Sequence, residues 1–479
     1  MFRKILSLLI IILLTVTFLA GCQSFKYGPI GGGDKSALVV NNGGLAVKQG
    51  DYLYFINGFS DYNAEDPKAN YFGEVLKGAI MRGKFVERAL TDVEVVVPKK
   101  VMSSSVNNGF FVFGEWIYYV SPGIGTNNKG EVLTDYIDFM RTKIDGTKTD
   151  KIITVKGNTT EFKFTPDALI YFNDNKLISI DTTGKKFKEN IIDEEVTAVL
   201  FPDCPVYNPA NPKSSADYVF YVKEPEEESD LNNVIYSVNA NGSDKKILID
   251  KSTYTADDSD LNNIYTISLL GSSVTDNKLA IYYTKKSVAK IAEQERGLYG
   301  YEFDSTEVKF DKVNEKCFSL NKTSKIYPVS FTKGVFILDT KPSALARYKE
   351  EGDQVPSVTE YEFPENITML VIVFMKDKDY AIYSSNEKVL RFPIDKSENA
   401  AVILTDTVKT GWSGPDFIDC VMFYINTTAL KYDYTFMADL TTFDISDKEK
   451  LKNEMIGKMT QEDIDAKKAA EEKKEETKQ

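Results

Sequence analysis

Gly114-Glu115-Trp116-Ile117-Tyr118-Tyr119-Val120, followed by Phe139-Met140-Arg141 and the turn Asp145-Gly146-Thr147, is the stretch on which the fold turns. Its apolar residues run on without alternation, as in a strand that is buried on both faces. Asp-Gly accepts the positive φ of a tight turn between two strands. Seven further stretches repeat the theme of a polar turn and then an apolar strand centred on two large residues. They are Asp51–Asn57, Asp167–Asn173, Asp217–Lys223, Asn277–Thr284, Lys333–Asp339, Asp379–Ser385 and Asp419–Ile425. With Tyr54, Tyr118, Tyr171, Phe220, Tyr282, Phe336, Ile382 and Phe423 as marks, the spacings are 64, 53, 49, 62, 54, 46 and 41 residues.

Most copies are preceded by a weaker strand, such as Phe110–Phe113 or Thr368–Phe374, and followed by a second strand and a polar one. Four strands in about 50 residues is the content and period of a propeller blade. A pair of β-sandwiches also has closely spaced strands, but it does not need one signature at a near-constant period through the whole body. The expected fold is therefore all-β, a β-propeller over residues 37–445, with eight blades favoured over seven or six.

Composition narrows the chemistry. The 479 residues contain no His, which removes the usual general base near neutral pH and every imidazole metal ligand. The formal charge of −13 is spread along the chain, so nucleic acid is not an expected partner. Beyond Cys22 the cysteines are Cys204, Cys317 and Cys420, far apart and odd in number, and they imply no disulfide framework.

The N-terminus supplies an address. Arg3 and Lys4 precede an uncharged apolar run from Ile5 to Phe18, and Leu19-Ala20-Gly21-Cys22 closes it. The run is shorter than the ~20 apolar residues of a membrane span. Its ending resembles the lipobox of bacterial lipoproteins, which implies cleavage between Gly21 and Cys22 and a diacylglycerol thioether on Cys22. Residues 1–21 then form a signal peptide, and its removal takes two positive charges, so the formal charge goes from −13 to −15. Residues 22–36, with Gly28-Pro29 and Gly31-Gly32-Gly33, read as a flexible tether with a reach of roughly 20 Å. At the other end, Ser446-Asp447-Lys448-Glu449 has capping-box form, so residues 446–479 are expected to be a short helix and a charged, frayed tail.

Candidate ligand sites are few. Asp258, Asp260 and Asn262 open like a calcium loop, but Asn263 stands where the turn needs Gly and Leu269 where the twelfth position needs Glu. Trp116 and Trp412 are candidates for stacking on a sugar ring, with core packing as the competing role of each. Acidic pairs such as Asp257-Asp258 and the run Glu226-Glu227-Glu228 supply carboxylates, though a glycosidase needs two that face each other. Phosphate-loop and dinucleotide fingerprints are absent, and no cofactor is expected.

The unit Trp116-Ile117-Tyr118-Tyr119, Phe139-Met140-Arg141, Asp145-Gly146-Thr147 resembles the propeller repeats of surface lipoproteins of low-GC Gram-positive bacteria, which are distantly similar to YWTD propellers. The resemblance spans roughly Asn41 to Ile445 and implies fold and extracytoplasmic location, with no catalytic residues to carry over. The expectation is a lipid-anchored, non-catalytic binding or scaffold module for a protein or glycan at the outer face of the cell membrane. The alternative is a carboxylate-dependent glycan-processing enzyme with its site in the propeller funnel.

Overall fold

The computed structural model describes residues 30–59, 77–101, 109–126, 132–157, 160–202, 205–212, 217–224, 234–249, 265–275, 278–287, 297–304, 316–319, 324–327, 335–340, 343–348, 358–362, 367, 369–375, 378–385, 387–405, 408, 415–426, 433–460, 465 and 469. Strands dominate, and they fall into successive antiparallel sheets. The first holds β1 (Val39–Val40), β2 (Ala46–Gln49), β3 (Tyr52–Ile56), β4 (Ile80–Val86) and β5 (Ala89–Val97). The second holds β6 (Phe111–Phe113), β7 (Trp116–Thr126), β8 (Val132–Lys143) and β9 (Thr149–Lys156). The third holds β10 (Glu161–Phe164), β11 (Ala168–Asn173), β12 (Lys176–Asp181) and β13 (Glu189–Asp193). The fourth begins with β14 (Val196–Leu200) and, after the detour of β15 (Val206–Tyr207), continues with β16 (Tyr218–Lys223), β17 (Ile235–Asn239) and β18 (Lys246–Ile249).

The fifth sheet holds β19 (Tyr265–Thr275), β20 (Lys278–Ser287), β21 (Gly297–Asp304) and β22 (Lys316–Ser319). The sixth holds β23 (Ser324–Tyr327), β24 (Val335–Thr340), β25 (Ser343–Tyr348) and β26 (Val358–Glu362). The seventh holds β27 (Met369–Met375), β28 (Lys378–Ser385), β29 (Lys388–Pro393) and β30 (Ala401–Leu404). The eighth holds β31 (Asp416–Ile418), β32 (Val421–Ile425), β33 (Thr435–Asp439) and β34 (Lys452–Met455). Among the described residues each sheet is a meander of four neighbours in chain order, and the first is extended by β1 and β15.

Each of the eight repeated stretches lies in the second strand of its own sheet. The lack of alternation now has its cause: these strands are buried on both faces. Val421–Ile425 is buried at every position, and Leu53 to Ile56 likewise. Fourth strands vary: Lys452–Met455 is exposed throughout and Glu189–Asn190 is exposed, while Ala401–Leu404 is buried at three of its four positions. The exposed ones mark the outer side of the body, and the first strands lie at the other edge of each meander. Consecutive residues of a second strand serve different neighbours. Tyr54 and Ile56 pack with Val112, Ile117 and Tyr119 of the second sheet. Leu53 and Phe55 pack with Val421 and Phe423 of the eighth. Tyr118 and Val120 meet Leu169 and Tyr171 of the third sheet, whose Ala168 and Ile170 meet Val219 and Tyr221 of the fourth. β14 runs beside β19 of the fifth, and Ile382 of the seventh packs with Met422 and Tyr424 of the eighth. Burying one such side chain contributes roughly 1.5–3 kcal/mol, so these inter-sheet layers are the principal source of cohesion.

The first and last sheets meet by side chains and loops rather than by sharing a strand. Asn57 Nδ2 donates to the Lys458 carbonyl at 2.8 Å, while Lys458 N donates back to Asn57 Oδ1 at 2.6 Å. Gly58 N donates to Thr435 Oγ1 at 3.0 Å. Lys48 forms an ion pair with Asp419.

Two expected boundaries change. Residues 446–458 are not the start of a helical tail. The cap at Asp447 closes only a 3-10 turn, Lys448–Lys450, with its carboxylate accepting from Glu449 N. Lys452–Met455 then pairs with Phe436–Asp439 as the outer strand of the eighth sheet. The open edge of β33 takes up the backbone groups of that polar segment, and Ile456 is buried behind it. At the other end, residues 30–36 are not free tether. Arg82 Nη2 donates to the Ile30 carbonyl at 2.8 Å, and Ile30 N donates to the Asp145 carbonyl at 3.1 Å.

Candidate functional site

The side chains with most chemistry gather where one sheet meets the turns of the next. Arg141 on β8 lies opposite Tyr118 of β7 and is buried. Its guanidinium lies 4.1 Å from the centre of the Trp116 ring and 5.0 Å from that of Phe187. It pairs with Asp150 at 3.1 Å and donates to the carbonyls of Thr182 and Gly184 in the β12–β13 turn of the next sheet. Lys143 and Lys148 add ammonium groups 5.5 and 5.4 Å from the Trp116 ring centre. Trp116 thus packs half-buried against the core between the second and third sheets, with a cation already over its ring.

The arrangement recurs. Arg82 on β4 lies opposite Tyr54, sits 4.8 Å from the Tyr52 ring centre and donates to the Ile144 carbonyl of the second sheet at 3.0 Å. Arg391 on β29 lies opposite Ile382 and rests between Tyr380 at 4.7 Å and Phe443, from the eighth sheet, at 4.3 Å. Third-strand arginines are thus staples between neighbouring sheets. The turns that receive them are themselves fixed by a short acidic motif. Asp145 Oδ1 accepts from Thr147 N at 2.9 Å and from its hydroxyl at 2.6 Å, and the pairs Asp181–Thr183 and Asp439–Thr441 repeat both bonds.

Other buried or enclosed charges have named partners. Asp138 accepts from Thr154 at 2.6 Å and lies 3.8 Å from the ammonium groups of both Lys99 and Lys151. Burial pushes the Lys99 ammonium below its ordinary range, against the pull of Asp138. For Asp193, burial works against the charged form, but hydrogen bonds from Lys223, Lys245 and Tyr221 hold it below the ordinary carboxylate range. Asp416, at the start of β31, behaves oppositely. Burial pushes its carboxyl up to about 6, although the Ala46 and Leu45 amides and Asn41 donate to it.

At the inner edge of the first sheet, β1 adds to β2, and β15 adds to β1. β15 comes from the connection within the fourth sheet, so a segment of that sheet reaches the inner edge of the first. Asn42 N donates to the Pro205 carbonyl at 2.9 Å, and the Tyr207 ring meets Phe113 edge-on at 5.1 Å. Short strands with two pairings each give no periodic signal, and these two are missed by sequence reasoning.

Cys22, Gly21, Asp258, Asp260, Asn262, Trp412, Cys204 and the runs at 226–228 and 257–258 lie outside the described residues. Cys420 is a free thiol in the β31–β32 turn. Among the described residues no three His, Cys, Asp or Glu side chains group as a metal site, and no helix is long and apolar enough to cross a membrane.

Successive antiparallel meanders packed face to face, with the last against the first, define an all-β protein of the β-propeller class. No protein-family model and no curated protein matches the chain. Among solved structures, it is similar to the Dos1 propeller, with 10% identity, 85% of this chain and 96% of that chain covered, and a TM-score of 0.41. It is also similar to the β-propeller domain of the Trilobed protease from Pyrococcus furiosus, with 10% identity, 85% and 94% covered, and a TM-score of 0.34. A eukaryotic initiation factor structure shares 9% identity over 90% of this chain and 98% of that one, with a TM-score of 0.44. These likenesses carry nothing about activity.

Proposed function

We propose that the eight sheets are the blades of one closed propeller, and that this body is a binding or scaffold module without catalytic activity. Anchored through a lipid on Cys22, it stands at the outer face of the cell membrane and takes a protein or glycan as its partner. The observation that carries the reading is the contact between first and last sheets, which makes the body a rigid platform. Three of its enclosed carboxylates support the same role. Asp138, Asp193 and Asp439 are each engaged by cations and hydroxyls that belong to the scaffold. A group so engaged is held as structure rather than poised for proton transfer.

The test uses the acylated full-length protein, cross-linked in its native membrane and, separately, incubated with cell-wall polysaccharide. The expected result is a discrete cross-linked partner or retained polysaccharide, with no new reducing ends. Release of reducing ends that scales with protein concentration overturns the reading in favour of glycan processing. The anchor is tested apart: Cys22→Ala is expected to leave an unprocessed precursor without labelled palmitate, and label in the variant contradicts it.

A further inference from the structure

The docked N-terminal segment does more than extend the fold: it fixes where the chain leaves the body. Ile30 packs on the core between the first and second sheets, its amide donates to Asp145, and Arg82 holds the carbonyls of Ile30, Gly31 and Gly32. Gly32 and Gly33 both have positive φ, 77° and 97°. A Cβ on Gly32 would run into the Tyr52 hydroxyl, so a side chain there has to displace the Tyr52 ring as well as adopt a backbone conformation that favours glycine. Asp34 then closes a turn by accepting from Ser36 N at 2.9 Å, and Ala37 leads into β1.

In a four-strand meander the turns from first to second and from third to fourth strand lie at one end, and the second-to-third turn lies at the other. Ile30 is bonded at the β8–β9 turn, and Lys35 and Ala37 lie beside the turns at Gly114 and Gly50. The segment therefore runs over the end of the sheets that carries Gly50-Asp51, Gly114-Glu115 and Asp145-Gly146. Neighbouring sheets present the same turns on that side, as the staples from Arg82 to Ile144 and from Arg141 to Thr182 show.

Resting on the lipid anchor proposed for Cys22, we infer that this turn face is the side of the propeller that faces the bilayer. The eight residue-to-residue steps from Cys22 to Ile30 reach at most about 29 Å when fully extended. A six-residue strand such as β12 alone spans roughly 20 Å from one face to the other. A chain fixed at the turn face would spend about 20 Å of that reach on passing the strands alone, so the tether favours the turn face against the membrane over the opposite one. The face with the second-to-third turns, such as Asp174-Asn175, is therefore presented outward to whatever the module binds.

The experiment uses the full-length acylated protein with Cys204, Cys317 and Cys420 changed to Ser, in phosphatidylglycerol–phosphatidylethanolamine vesicles that carry an acceptor-labelled lipid. A donor dye is placed singly through Asp51→Cys or Lys185→Cys on the turn face, Asp174→Cys or Lys388→Cys on the opposite face, and Glu454→Cys on the rim. Energy transfer is expected to be higher from both turn-face positions than from the opposite face or the rim. A Gly-Ser insertion of about 20 residues before Ile30 should shrink the difference. Equal transfer from all positions, or the highest from the rim or opposite face, overturns the facing while the anchor stands. Absence of transfer from every position of the acylated protein overturns the anchor, and the facing with it.

Discussion

Arg82 Nη1 donates to the backbone carbonyl of Ile144 at 3.0 Å, joining the third strand of the first sheet to the end of the third strand of the second. The same guanidinium holds the N-terminal segment through Ile30, so one buried cation organises two sheets and the chain entry. Arg82→Met keeps the stem and removes every donor, leaving enclosed carbonyls without partners. The expected loss is about 3 kcal/mol by urea denaturation. Arg82→Lys should recover less than half of it, because one ammonium cannot reproduce the planar fork. Full recovery by Lys would contradict the staple geometry.

Tyr118, Tyr171 and Phe220 lie in the second strands of three successive sheets and are buried. Phe220 takes the place of Tyr118, whereas Tyr171 is one residue further along its strand and faces back onto Tyr118. Truncating any of them to Ala should cost about 3–5 kcal/mol. In a closed ring, each variant should lower one cooperative transition. Calorimetry that shows one segment melting early while the remainder keeps its midpoint would mean independent modules.

The C-terminal boundary gives a paired test. Ending the chain after Thr460 removes no residue of β34 and should leave the melting temperature within a few degrees of the full chain. Ending it after Ile445 removes β34, buried Ile456 and the Lys458 contacts with Asn57, and should lower it markedly. Equal midpoints for the two truncations would show that β34 contributes nothing.

Asp416 sets a pH dependence. Its carboxyl is raised by burial to about 6, from an ordinary value of 3.8. A raised carboxyl binds its proton more tightly when folded, so its contribution is most favourable below the unfolded value and is lost as pH rises through about 6. Asp416→Asn has no such titration. The stability of the Asn variant relative to wild type should therefore rise between pH 4 and pH 7, whatever the offset at pH 4. A flat or falling difference, measured by urea unfolding, would mean that the amides of Ala46 and Leu45 outweigh desolvation.

The parts of the fold that were legible in sequence are those where burial is two-sided. Tyr-Tyr and Phe-Tyr pairs without alternation can sit only in strands that are covered on both faces, and all eight stretches found second strands. Asp145-Gly146-Thr147 was legible because its turn is made by local hydrogen bonds. What escaped notice has the opposite character. Lys452-Asn453-Glu454-Met455 is an outer strand exposed at every position, so it reads as solvated tail. Gly31-Gly32-Gly33 reads as linker, yet two of its glycines serve a docked turn against Tyr52 and Arg82. Trp116 stood out as a stacking candidate by residue type, but Arg141, nearby only through the β7–β8 pairing, covers its ring. Non-local partners of that kind have no signature in local spacing.

If one chain closes on itself through its first and last sheets, Lys48 and Asp419 are paired within a single molecule. These residues are 371 positions apart, and they touch only if the ends of the body meet. Zero-length carbodiimide coupling of the native protein, with peptide mapping of the monomer band, should yield an amide between the Lys48 and Asp419 peptides. A Lys48→Gln control should remove it. Recovery of that cross-link only from dimers, or its absence from a monomer whose Lys176–Glu194 pair does couple, would contradict the closed ring.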